Sequence, residues 1–168
     1  MEVLFQNTYI RNRNMLKEVY ANVLFFKSYA IFLDAFMLLA FLISIFQIFL
    51  LWDFSFHVQI CTIVYIIVRL LSYSNTIQTM LKRDAELSKG APIEVTIQIT
   101  EGAILTNTSH GHTSELAITS VRFATKTNNY LVLQTEAKHL VVLKKDSFSV
   151  GSYEAFLQFL QRKNIKIK

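Results

Sequence analysis

Asp34 and Arg69 are charges set inside long apolar runs of this 168-residue chain. A charge in such surroundings is costly unless an opposite charge stands beside it. The two runs, 29–52 and 54–73, are separated by little more than Asp53. If the chain turns back there as an antiparallel hairpin, residues equally far from Asp53 share a depth. Asp34 and Arg69 then fall within about one helical turn of each other. The same rule sets Gln47 opposite Gln59 and Ser44 opposite Thr62. Ser44 and Gln47 are three apart, as are Gln59 and Thr62, so each pair occupies one side of its helix. Such a seam can bond across two helices, at about 0.6–2 kcal/mol per contact in a membrane, or line a polar path through an oligomer. Two helices enclose no pore. Adhesion between the helices, with Arg69 reaching toward the headgroups, is the expected role.

Other reactive groupings are sparse. His110-Gly-His112 is a metal-like pair, but a site wants three or four ligands, and His139 stands on a different segment. Loop histidines are the expectation. Ser109 and Ser114 have no positioned base and orienting acid. Four glycines leave no phosphate-cradling loop. Single Cys61 cannot form an internal disulfide. No catalytic, cofactor or metal residue is therefore expected, and the chain reads as something other than an enzyme.

Basic residues carry more weight. From Ser74 onward twelve Lys/Arg stand against eight Asp/Glu, a balance of +4. Arg122, Lys126, Lys138, Lys144 and Lys145 are expected on strands or turns of one sheet. Facing an anionic leaflet, each adds about 1 kcal/mol of attraction if close to the surface. The competing role is an ordinary solvated face. Nucleic acid is not an expected partner, since no motif for it is present.

The elements that must position these groups follow from pattern. Each apolar run has about the 20 residues a helix needs to span a bilayer. Arg11, Arg13, Lys17 and Lys27 precede the first, and Lys82, Arg83 and Lys89 follow the second, while only Asp53 lies between. This distribution puts both termini in the cytoplasm and the tip, with Trp52 and His57, outside. The first run begins after 28 residues without a cleavage pattern, so a retained anchor is expected. Met15, Leu16, Val19, Tyr20, Val23 and Leu24 recur at helical spacing, which predicts an interfacial helix within 1–28, lying on the inner surface or on the downstream domain. Residues 29–73 form the hairpin, and 74–92 a juxtamembrane helix ended by Lys89-Gly90-Ala91-Pro92.

Residues 93–168 read as a cytoplasmic α+β domain. Ile93, Val95, Ile97 and Ile99 alternate with polar neighbours, the mark of a half-buried strand. Glu101-Gly102 turns into 103–107, a polar loop spans 108–114, and the pattern slips at Thr119-Ser120. Asn128-Asn129 and Ala137-Lys138 bound strands 130–135 and 139–143. Ser152 caps a helix whose Tyr153, Phe156, Leu157 and Leu160 share one side. Five or six antiparallel strands closed by that helix are expected.

Thr125-Lys-Thr-Asn-Asn-Tyr-Leu-Val-Leu, Val142-Leu-Lys-Lys-Asp-Ser-Phe and Gly151-Ser-Tyr-Glu-Ala-Phe-Leu-Gln-Phe-Leu resemble the C-terminal domain of YcxB-like bacterial membrane proteins. In that family two transmembrane helices precede such a domain, so the resemblance covers nearly the whole chain. Ala117 and Leu143 depart from it, standing where an aromatic residue and a proline are common. The resemblance implies a bacterial cell-membrane location and this architecture, with a pleckstrin-homology-like roll as the domain class, but no defined activity. The functional expectation is a membrane-anchored module that recruits a protein partner or anionic lipid at the inner leaflet. The alternative is an accessory subunit of a transport complex that oligomerises through the hairpin.

Overall fold

A computed structural model describes residues 2–25, 28–51 and 57–168. The expected tip at Trp52 and Asp53, and Lys27 where the chain meets the first span, lie outside these. The chain begins with a strand, β1 (Phe5–Arg11). A short helix α1 (Arg13–Val19), a π-helix (Tyr20–Phe25) and the long helices α2 (Ser28–Leu51) and α3 (His57–Ser88) come next. Then follow β2 (Ile93–Ile99), β3 (Ala103–Thr108), β4 (Thr113–Ala117), a 3-10 turn (Ile118–Ser120), β5 (Val121–Lys126), β6 (Tyr130–Thr135), β7 (Leu140–Lys144) and β8 (Phe148–Val150). Helix α4 (Tyr153–Arg162) and β9 (Lys166–Ile167) end the chain.

Two sheets share one core. The first has strand order β4-β3-β2-β1-β8, and the second β7-β6-β5-β9. All their pairings are antiparallel except β5 with β9. The α+β domain with antiparallel sheets and a C-terminal helix is as expected, with more strands than the five or six anticipated. Residues 113–117, whose start reads as loop in the sequence, pair with β3, and β8 and β9 stand where no strand is expected.

Ahead of the expected helix, which α1 and the π-helix form, stands a strand that the sequence reading lacks. Phe5, Asn7 and Tyr9 are buried while Gln6 and Thr8 are half-buried, a strand alternation that begins at residue 5. A polar asparagine at its centre hides the apolar pattern. β1 pairs with β2 along its whole length, from Phe5 opposite Ile99 to Arg11 opposite Ile93. The outward pairs match in chemistry: Gln98 Nε2 donates to Gln6 Oε1 at 3.1 Å, and the Thr8 and Thr96 hydroxyls lie 3.2 Å apart. Helix α1 is capped by Asn12, whose Oδ1 accepts from Met15 N–H at 2.9 Å. Its Met15, Leu16 and Val19 join the domain core, so of the two placements open to this helix it takes the one on the domain.

Asn7 is fully buried and joins the sheets. Its Nδ2 donates to the Lys144 carbonyl at 2.7 Å, and its Oδ1 accepts from the Lys144 N–H at 3.0 Å. The side-chain amide thus does for β7 what a neighbouring strand would do. At the far end of β1, Phe5 packs edge-on to Phe156 with centroids 5.1 Å apart, tying the strand to α4. Gly151, at φ +74°, makes room: a Cβ there would stand 2.4 Å from Phe5 Cδ1. Ser152 caps α4 as expected, accepting from Ala155 N–H at 3.2 Å. Phe156, Phe159 and Leu160 are its buried residues, while Tyr153 and Leu157 are half-buried.

Asn7→Ala should cost about 1–3 kcal/mol, because it removes both bonds to the part-buried Lys144 N–H and C=O. Chemical denaturation of the detergent-solubilised chain measures it. A loss below 1 kcal/mol would show that the bridge contributes little.

Candidate functional site

The long helices carry the most unusual surface. Among the described residues α3 is long and apolar enough to cross a membrane, and the described apolar part of α2, Ile31–Gln47, is shorter. Only 11% of the apolar window of α3 is buried, which is not how the core helix of a soluble domain sits. Phe32 and Phe46 on α2 are 74% and 64% exposed. Apolar area of this extent marks a surface meant for lipid or protein.

On these helices Asp34 of α2 receives two donors from α3. Arg69 Nη2 lies 2.7 Å from Asp34 Oδ2, and the Tyr65 hydroxyl donates to Asp34 Oδ1 at 2.8 Å. The expected Asp34–Arg69 pair is therefore formed. Tyr65 was not anticipated; its signal was the four-residue spacing to Arg69, which puts both on one side of α3. In a low-dielectric setting the carboxylate is held because both its oxygens are used. Beside this network runs a groove of about 420 Å³ lined by Met37, Phe41, Thr62 and Ile66 among others.

Ser44 and Thr62 are both buried at the contact of the two helices. Ser44 Oγ donates to the Phe41 carbonyl at 2.8 Å, and Thr62 Oγ1 to the Val58 carbonyl at 2.9 Å, each within its own helix. Gln59 is half-buried and Gln47 exposed. The seam thus brings its two small residues into the contact and leaves Gln47 at the surface.

The five basic candidates divide between the two ends of the second sheet. Arg122 on β5 and Lys138 in the β6–β7 turn are exposed near one end, where Val121 pairs with Thr135. Lys126, Lys144 and Lys145 stand near the other, where Lys126 pairs with Leu131 and Lys144 with Tyr130. Lys145 is already engaged: its Nζ donates to the carbonyls of Thr127 and Asn128 and lies 5.8 Å from the Tyr153 ring centre. Lys144 is half-buried, its backbone held by Asn7.

Lys145 belongs to a clamp that sequence reasoning missed. Glu18 of α1 reaches the β5–β6 turn, where Oε1 accepts from Thr127 Oγ1 at 2.6 Å and Asn129 N–H at 2.7 Å. Oε2 accepts from Asn129 Nδ2 at 2.8 Å. Partial burial pushes this carboxyl up. The bonds from Asn129 and Thr127, with the Lys145 charge, outweigh that and leave its pKa lowered. Nothing local in the sequence pointed to this contact, since its partners stand more than a hundred residues away.

On the other side α1 touches α3. Tyr73 OH donates to the Lys17 carbonyl at 3.3 Å, Tyr20 and Tyr73 rings lie 5.5 Å apart, and Arg11 Nε stands 2.7 Å from Asp84 Oδ2. That last contact is an ion pair by distance without a well-directed hydrogen bond, because the Nε–H has no aligned acceptor. Helix α3 is thereby strapped to the domain through α1.

His110 and His112 occupy the exposed β3–β4 turn, and no cluster of three metal-ligating side chains occurs among the described residues. The class defined so far is an α+β domain of two antiparallel sheets and a C-terminal helix, from whose first sheet a membrane-length helix projects. Comparison with protein-family models, curated proteins and solved structures finds no match to this chain.

The Glu18 clamp has a pH signature. A lowered folded-state pKa gives stability that is present above the ordinary glutamate value of 4.5 and is lost as pH falls through the folded value. Glu18→Gln should therefore destabilise by about 1–2 kcal/mol at pH 7, and the difference from the parent should shrink as pH falls below 4.5. A difference that does not vary with pH would contradict the clamp.

Proposed function

We propose that this chain is a membrane-anchored binding or scaffold module without catalysis, carried on a two-pass hairpin with both termini in the cytoplasm of a bacterial cell. The single observation that carries the reading is the pairing of β1 with β2. The chain leaves the sheet after Arg11 and returns to it at Ile93, its partner residue. A segment that starts and ends on one rigid body crosses a bilayer an even number of times. If α3 crosses, α2 is the element available to cross with it, and the apolar run of the sequence through residue 52 supplies the length.

The basic residues flanking both helices favour the cytoplasmic side for the domain. The clamp end of the second sheet adjoins α1 near Tyr73, so Lys126 is the basic candidate best positioned for an anionic leaflet, and Arg122 with Lys138 suits a protein partner. Two antiparallel sheets sharing a core with one C-terminal helix also support the pleckstrin-homology-like class. A second reading, assembly through the hairpin within a transport complex, is favoured by one observation. The Asp34 side chain remains 36% exposed on the helix surface, and a neighbouring helix would cover it and fill the adjoining groove.

Cysteine accessibility tests the topology. In a Cys61→Ser background, an impermeant maleimide added to intact cells should label Asp53→Cys and leave Ser109→Cys unlabelled until the cells are opened. Labelling of Ser109→Cys from outside would refute a cytoplasmic domain. Protection of both positions until lysis would refute the two-pass anchor.

A further inference from the structure

We propose that the hollow between β7 and the first sheet binds a free single-chain amphiphile with an anionic head, of the long-chain carboxylate type. The inference goes beyond the module reading, and only its choice of a free ligand over a leaflet lipid rests on the membrane placement of α3 proposed above.

The hollow follows from how the sheets are joined. Asn7 bridges β1 to the Lys144 end of β7, but β7 and β4 are outer strands of their sheets and no strand links them. Beyond the bridge, β7 faces β2, β3 and β4 across a space of about 520 Å³. A second space of about 450 Å³ under α3 adjoins it, sharing Arg11, Val95, Thr108 and His112. Both volumes are in the range of roughly 300–1,000 Å³ usual for small-molecule sites.

The lining sets the ligand class. Val95, Ile97, Val141 and Val142, none more than 7% exposed, make an aliphatic floor, with Leu116 at its side. Such a floor takes alkyl carbon, while Thr106, Thr108, His112, Ser114 and His139 add polar groups to the same lining. The second space is cationic: Arg11 and Arg83 line it, and among the described residues Asp84 is the one acidic residue lining either space. Arg11 Nε is enclosed and lacks an aligned acceptor beside Asp84. A guanidinium carries five donors, so Arg11 retains capacity for a second anion. An alkyl chain on the floor would place its carboxylate at Arg11.

The source is a free molecule rather than a lipid in its leaflet. Asp84 lies eleven residues beyond Tyr73 on α3, which sets the mouth roughly 16 Å further from the membrane than Tyr73.

The full chain in phosphatidylcholine nanodiscs, exposed to a diazirine analogue of palmitate and mapped by mass spectrometry, tests this. Label is expected on the peptides holding Leu116 and Val141, roughly tenfold above that from the matching uncharged diazirine alcohol. Unlabelled palmitate should compete and inorganic phosphate should not. Leu116→Trp should cut label on the Val141 peptide severalfold while label on α3 persists, and Thr106→Phe provides a second filling variant should the first misfold. Label confined to α2 and α3, equal labelling by the alcohol, or competition by phosphate alone would each overturn the proposal. Cleft label from a diazirine phospholipid built into the nanodisc would overturn the free-ligand part.

Discussion

Backbone pairing of β1 with β2 on one side and β8 on the other puts a strand from ahead of the helices into the interior of a sheet built otherwise from the chain behind them. An interior strand satisfies two rows of backbone groups, and each buried group left without a partner costs about 1–3 kcal/mol. It also brings Phe5 to α4, Asn7 to β7 and Tyr9 to Tyr130. The domain is therefore not an appendage after an anchor. The long helices are an excursion between two neighbouring strands of one sheet.

This constraint orders the rest. Because Arg11 and Ile93 are partners, α1 and the end of α3 must leave the sheet side by side, and their contacts at Arg11–Asp84 and Lys17–Tyr73 follow. Glu18 then fixes α1 to the β5–β6 turn, so that α3 is coupled to both sheets through one short helix. The same arrangement explains the hollow, since Asn7 draws the sheets together at one end only. A helix of 32 residues, about 48 Å long, rooted this firmly would transmit its tilt to the domain.

Where period and punctuation were regular, the fold was legible in sequence. The Ile93–Ile99 alternation, the Asn128-Asn129 turn, strand 130–135 and the Ser152 cap all stand where pattern put them. β1 was hidden because its central inward residue is a polar asparagine, whose bonding partner is a backbone 137 positions away. β4 was hidden because its alternation is exposed on one side and only half-buried on the other. The Asp34–Arg69 pair was legible because symmetry about Asp53 is a local rule. Tyr65 carried a spacing signal through Arg69, whereas Glu18 and the engagement of Lys145 depend on tertiary placement, to which no spacing in the chain corresponds.

The central claim is that the domain needs its first strand. Two fragments compare it directly: residues 91–168 alone, and residues 2–22 joined by a flexible linker to 91–168, each followed by thermal unfolding and amide proton NMR dispersion. The account predicts a dispersed spectrum and a cooperative melt only for the joined fragment. A well-dispersed, cooperatively melting 91–168 fragment would contradict it.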